Sequence, residues 1–456
     1  MSSLDNMPVN NVLPQEYKLE ELPVMMDAAT EYEYHEIQAD NLNQPQGTNW
    51  RLQLKNLNVL VNPARAYLEV RVRLTDAANV GLVANQEASL QNHILSLFSR
   101  GTLRVGGQIV ETVNELNVAK GLVQPLLHYS QDYATSSGSN ELFYKDGPGF
   151  STDRVPYTHA AITGDAQLAN ALAINDNGAY NKGYRQRFDR TNNAEVTCWV
   201  PMSSIFGFCS VDRVLTNNTF IVEMTKCSET KDYILSTQGG GDQKVAINKV
   251  SIWMPNILPR SVVDLSLKSA FADGVVSNYV FPQLQSYTFK TEKAGGGASS
   301  DNIRIATSSD KVLYAFVILR NGARTVANSV AQTSDSIETL ELRLNGRAYP
   351  SQNYVSLGGN TEDKARAYSD TLRYMSRGYD YSSGIPLSYD EWAKTTIYAF
   401  DMTSQPESFA GAPATVELKA TSNANGLASK EWSVCILSEK RVQVSYSGQS
   451  SVVLVN

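Results

Sequence analysis

The feature that most constrains this chain is an approximate internal repeat. Leu103 to Val113 reads LRVGGQIVETV, a strand, a Gly106-Gly107 turn and a second strand. Glycine at both central positions permits the positive backbone angles of a two-residue hairpin. Leu340 to Pro350 reads LELRLNGRAYP, with Asn345-Gly346 as its turn, about half the chain further on. Each hairpin leads into a helical stretch, Asn114 to Tyr133 in the first half and Thr361 to Met375 in the second. The second opens on Glu362 and Asp363, which suit the positive end of a helix dipole.

The repeat extends in order on both sides of the hairpins. Tyr67 to Leu74 precedes the first and Tyr314 to Arg320 the second. After the helices come Cys198-Trp199-Val200-Pro201 and Tyr398-Ala399-Phe400-Asp401, then Phe220 to Met224 and Val416 to Leu418, then Val250 to Met254 and Trp432 to Ile436. Most of these segments alternate apolar with polar residues, the period of a half-buried strand. In Tyr67 to Leu74 the apolar Leu68, Val70, Val72 and Leu74 face a core, while Glu69, Arg71 and Arg73 turn to water. Val312 to Leu319 is apolar on both faces, which predicts a central strand covered on both sides.

Regular alternation of strands with amphipathic helices, the mark of a parallel sheet, is missing. The expectation is an all-β chain of two tandem jelly-roll β-sandwiches, with short helices in the connections. Residues 1–30, with Pro8, Pro14 and Pro23, read as an extended arm. Residues 31–258 make the first jelly roll and 259–456 the second. Ser151 to Asn193 is turn-rich and reads as a long exposed loop of the first. Gly239 to Gly241 and Gly295 to Gly297 read as loop tips.

Lys plus Arg number 39 against 46 Asp plus Glu, a net charge of −7, so the basic balance of a nucleic-acid binder is absent. Charged residues are only 19%, and neutral polar groups take their place. Such a surface suits a protein that lies against copies of itself without strong repulsion. No secretory leader is legible in Met1 to Asn11, and no apolar run reaches the length of a membrane helix. Cys198, Cys209, Cys227 and Cys435 are too sparse for a disulfide framework and read as buried thiols.

Chemistry-bearing patterns fail on inspection. Gly239-Gly240-Gly241-Asp242-Gln243-Lys244 lacks the spacing of a phosphate loop, and Gly147-Pro148-Gly149 that of a dinucleotide turn. Asn175-Asp176-Asn177-Gly178 would put Ala173 and Tyr184 at the ends of a calcium loop, where neither is a ligand. The cysteines offer no close thiol pair for zinc. His35, His93, His128 and His159 sit in no nucleophile motif. Ser300-Asp301-Asn302 and Ser308-Ser309-Asp310-Lys311 occur in the wrong order for a penicillin-binding site. Tyr374, Tyr379, Tyr381 and Tyr389 read as packing aromatics rather than a stacking platform. The expectation is a chain that is not an enzyme, with no catalytic, cofactor-binding or metal residues.

The ordered segments resemble the double jelly-roll major capsid proteins of polinton-like viruses, adintoviruses and virophages. The resemblance is carried by Ser96-Leu97-Phe98-Ser99-Arg100 leading into the first hairpin, Leu126-Leu127-His128-Tyr129, and Phe143-Tyr144-Lys145-Asp146-Gly147. Pro201-Met202-Ser203-Ser204-Ile205-Phe206 extends it, with Leu340 to Pro350, Ile397 to Met402 and Trp432 to Leu437 in the second half. It implies a shell subunit of a double-stranded DNA virus or virus-like element, forming pseudo-hexagonal homotrimers that tile an icosahedral capsid. Penton and minor or cement proteins would be its partners, without specific nucleic-acid binding or a membrane span. Its place would be the virion, after synthesis and assembly inside the host cell. A transient assembly scaffold of the same fold, or a carbohydrate- or receptor-binding β-sandwich, are the alternatives.

Overall fold

The computed structural model describes residues 29–40, 48–56, 59–76, 80, 88–145, 182–191, 194–236, 243–259, 261–291, 298–307, 311–324, 326, 337–355, 357, 362–375, 387–395, 397–406, 413–422, 427, 429–447 and 450–455. Most of residues 1–30 and 151–193, His159, the glycine tracts, Asn175 to Gly178, Ser308 to Asp310, Tyr379 and Tyr381 lie outside this set.

The first half contains β1 (Ala29–Gln38), β2 (Asn49–Asn56), β3 (Leu60–Val61), β4 (Tyr67–Thr75), β5 (Ala88–Leu90), β6 (Phe98–Val105), β7 (Gln108–Asn114), β8 (Val196–Pro201), β9 (Asn218–Lys226), β10 (Ile234–Ser236) and β11 (Lys244–Pro259). The second contains β12 (Val276–Lys290), β13 (Ser299–Ala306), β14 (Val312–Asn321), β15 (Thr339–Leu344), β16 (Arg347–Tyr354), β17 (Ile397–Asp401), β18 (Thr415–Ser422), β19 (Lys430–Ser447) and β20 (Ser450–Val455).

Sheet order shows the duplication directly. The first half pairs as β1-β11-β4-β8 and β2-β9-β6-β7, the second as β12-β19-β14-β17 and β13-β18-β15-β16. Both read identically when strands are counted along each half with β3, β5 and β10 left out, and all of these pairings are antiparallel. Each half is therefore an eight-stranded jelly roll, with β3, β5, β10 and β20 as additions. Helices are confined to connections, among them Leu116–Val118 running on to Gln124–His128, and Glu362–Met375.

Alternation explains both cores. Leu68, Val70, Val72 and Leu74 of β4 cluster with Leu103 and Val105 of β6 and Val222 of β9. In the second half Leu340, Leu342 and Leu344 cluster with Val416, Leu418, Trp432 and Val434. Both clusters belong to one continuous apolar core, so the two lobes are packed together rather than strung on a linker. The central position expected for Val312 to Leu319 holds, with β14 between β19 and β17.

Three expectations need correction. β1 begins at Ala29, so the last two residues of the supposed arm belong to the sandwich. The first helical stretch begins at Leu116, because Asn114 ends β7, and it breaks at Tyr129 before Ser130 caps a new turn over Gln131–Thr135. Within the supposed exposed loop, Lys182–Thr191 is a helix whose Arg187 is fully buried, donating to the Leu90 carbonyl, the Asn92 side chain and the Tyr144 carbonyl. Three acceptors fixed by the fold satisfy its planar fork, which explains why so polar a segment packs inward.

Both hairpins turn through two positive-φ residues, Gly106 and Gly107 at 58° and 84°, Asn345 and Gly346 at 48° and 86°. A Cβ added at Gly107 or Gly346 meets no atom within 4 Å, so only backbone strain opposes a side chain there. Gly107→Ala and Gly346→Ala should each lower unfolding free energy by roughly 1–2 kcal/mol in urea titration.

Candidate assembly surfaces

The junction between the lobes is built on two anchors. Glu111 on β7 accepts the backbone N–H groups of Gly207 and Phe208, both at 3.0 Å. Burial pushes its carboxyl up, against the pull of those two donors. The turn it holds carries Phe208, which stacks on Tyr279 at 4.7 Å and meets Phe281 edge-on at 5.7 Å. At Gly207 a Cβ would stand 1.9 Å from the Pro282 carbonyl oxygen, so β12 lies directly on this glycine. Gln283 adds a hydrogen bond to the Thr112 carbonyl at 3.1 Å.

The second anchor lies on the outer face of the sheet β12-β19-β14-β17. Glu115, just beyond β7, accepts from Ser286 at 3.1 Å and Thr288 at 2.6 Å. Beside them Arg320 and Arg324 share Glu431 at 2.9 and 3.0 Å, and Arg324 reaches Asp232 of the first lobe at 3.1 Å. Burial pulls the Arg320 guanidinium down, as does Arg324, while Glu431, Glu115 and Asp232 oppose them. Further along, His128 bonds Tyr374 at 3.0 Å, and Tyr374 packs on Tyr314 and Phe316. This face of the second sandwich is thus covered jointly by first-lobe residues, Glu115 and His128 after β7 and Asp232 after β9, and by Tyr374 of the second lobe's own helix.

The equivalent face of the first sandwich, on β1-β11-β4-β8, is open. It presents Tyr34, Tyr67 and Trp199, exposed at 44%, 38% and 37%, with Trp253 beside them. Their rings run in a chain, Tyr34 to Tyr67 at 6.5 Å, Tyr67 to Trp199 at 6.3 Å and Trp199 to Trp253 at 5.5 Å. Under these rings sits Glu69, expected to face water but buried. It accepts from Trp253 at 2.7 Å, Lys249 at 2.8 Å, Arg71 at 2.9 Å and Ser251 at 3.1 Å. Lys249 also pairs with Glu36 at 2.6 Å. Burial pushes the Glu69 carboxyl up, but the bonds from Lys249, Trp253 and Arg71 outweigh it and hold it at about 2.

A second polar cluster joins a buried histidine and carboxylate to two tyrosines. His93 and Glu141 are buried, 2.7 Å apart. Leu95 N–H donates to His93 Nδ1, so Nε2 carries the proton towards Glu141. Tyr129 and Tyr133 donate to the same carboxylate at 3.3 and 2.9 Å. These bonds tie the β7–β8 connection to the turn before β6 and serve structure.

Other sequence landmarks resolve as packing. All four cysteines are buried and free. Asp301, from the Ser300-Asp301-Asn302 run, accepts the Trp432 indole N–H at 2.7 Å. Tyr389 packs on Tyr368 and Trp392. His35 lies near Glu33 on β1. Among the described residues no group of three or more His, Cys, Asp or Glu is placed to hold a metal ion, and no helix is long and apolar enough to cross a membrane. The sequence reading missed the aromatic face and the junction anchors. The signal was there in large aromatics on the polar side of alternating strands, Tyr67, Trp199 and Trp253.

Comparison with known proteins agrees with this architecture. The family model for a double jelly roll-like domain matches residues 164–443. The chain belongs to that family. The double jelly roll aligns with a chain of the Sputnik virophage structure at a TM-score of 0.59 and 11% identity, covering 98% of this chain and 94% of the other. The mavirus major capsid protein aligns at 0.50 and 9%, covering 100% and 96%. The PBCV-1 virus capsid aligns at 0.51 and 12%, covering 93% and 97%. No curated protein matches the sequence. The resemblance drawn from the ordered segments is borne out in family and fold.

The depressed Glu69 carboxyl has a pH consequence. Its stabilisation is complete above its ordinary value of 4.5 and is lost as pH falls through about 2. The stability gap between the parent and Glu69→Gln, measured by urea unfolding, should therefore narrow steadily from pH 4.5 towards pH 2.

Proposed function

We propose that this double jelly roll is the main shell subunit of a viral or virus-like capsid, working as a homotrimer and without covalent catalysis. One observation carries the reading: a duplicated jelly roll whose lobes are fused by a buried, asymmetric contact, leaving an equivalent aromatic face open. Two similar lobes per chain give a three-chain ring six similar corners, and such a capsomer tiles a closed shell. The descriptions of two structural relatives name the mavirus major capsid protein and the PBCV-1 virus capsid, which supports the same role here. The low charge density and the net charge of −7 fit a shell whose interior does not hold DNA tightly.

Penton and minor capsid proteins would be its further partners, and the virion, assembled inside the host cell, its location. The boundaries 31–258 and 259–456 are the proposed lobes, and the part of residues 151–193 beyond the helix at 182–191 is the proposed outer tower. Native mass measurement of the purified protein should show a three-chain species or larger closed assemblies. A stable single chain at micromolar concentration contradicts the reading.

A further inference from the structure

The sheets β2-β9-β6-β7 and β13-β18-β15-β16 turn a second pair of equivalent faces outward, and here the two lobes differ in charge. On the second lobe the charges alternate across the strands. Arg304, Glu417 and Arg343 lie in one row and Asn302, Lys419 and Glu341 in the next. Glu417 holds Arg304 at 3.5 Å, and Glu341 holds Arg343 at 2.5 Å. On the first lobe the rows read Asn49, Thr225 and Arg100, then Arg51, Glu223 and Thr102, then Gln53, Ile221 and Arg104, with Lys55 beside Thr219. Four cations thus share one carboxylate, in a chain that is acidic as a whole. Glu223 reaches Arg104 at 3.4 Å and Arg51 at 4.0 Å. Lys55 and Arg100 are exposed and have no ion pair among the described residues.

We propose that this face of the first lobe binds an anionic polysaccharide. Charge is the first support. The register places Arg51 and Lys55 about 13 Å apart along β2, and Arg100 and Arg104 equally far apart along β6, two strands away. Four cations spread over a flat sheet suit a polymer with repeated anions better than one small ion. Arginine forks grip carboxylate and phosphate-like oxoanions through paired hydrogen bonds. Between them Asn49, Gln53, Thr219 and Thr225 carry the amide and hydroxyl groups that pair with sugar hydroxyls. The same composition speaks against other occupants. On this face β2, β9 and β6 carry no aromatic ring on which bases could stack. They also carry none of the exposed large apolar residues that anchor a protein interface. A flat sheet face has no helix or ribbon to enter a groove of duplex DNA. Such binding goes beyond the capsomer reading and does not depend on it.

The test is a titration of the full-length protein with heparin. The parent should bind it, with affinity falling about tenfold or more between about 50 and 200 mM salt, as release of counterions from several contacts requires. Lys55→Gln combined with Arg100→Gln should weaken binding at least about tenfold while the melt stays cooperative. Arg304→Gln combined with Lys419→Gln, the same change on the second lobe's face, should leave it as in the parent. No binding by the parent at the lower salt overturns the inference, as does unchanged binding in the first-lobe variant or an equal loss in both. Duplex DNA held as tightly as heparin, and lost in the same variant, would make this a nucleic-acid surface. Loss of a three-chain species in that variant would give the face to a second copy. Either result also overturns the inference. A parent that stays a single chain yet binds heparin through these residues sinks the capsomer reading and leaves this one standing.

Discussion

The covered outer face of the second sandwich is the constraint on which the rest of this structure depends. A jelly roll by itself buries only the space between its two sheets and leaves both outer faces to water. Here Phe316 and Ile318 make one of those faces apolar, and Arg320 and Glu431 are buried beside them, where only their pairing offsets the loss of water. Residues of the first lobe, Glu115 and His128 among them, share that cover with Tyr374 of the second lobe's own helix. Docking of the lobes therefore completes the burial of the second half.

Much of this architecture was legible in the chain. The two hairpins, Gly106-Gly107 and Asn345-Gly346, announce themselves because positive φ at two successive residues selects so few residue types. Strict alternation placed Leu68 to Leu74 and Leu340 to Leu344 on their inner faces, since a strand has only two sides. Val312 to Leu319, apolar throughout, pointed to cover on both faces, and the second cover proved to be Tyr374 of the same lobe together with residues of the other. Segment order then carried the duplication where individual residues had diverged.

What escaped the sequence are relations between distant segments. Nothing in the run around Glu115 says that Ser286 and Thr288 will meet it, because that contact depends on how two finished sandwiches dock. Glu69 looked solvated by alternation, yet four donors from β4 and β11 close over it. Arg187 looked like loop surface for the same reason, its three acceptors lying far off in sequence. In each case a polar residue is buried by partners that periodicity does not see. Likewise His93, Glu141 and two tyrosines came together as one hydrogen-bonded cluster from segments far apart in sequence.

A chain organised in this way performs its work by contact, and the decisive property is which surfaces are left to be covered. Cryo-electron microscopy of the purified protein addresses that property most directly. The account predicts closed six-lobed particles, each built from three two-lobed chains. Isolated two-lobed particles would contradict it.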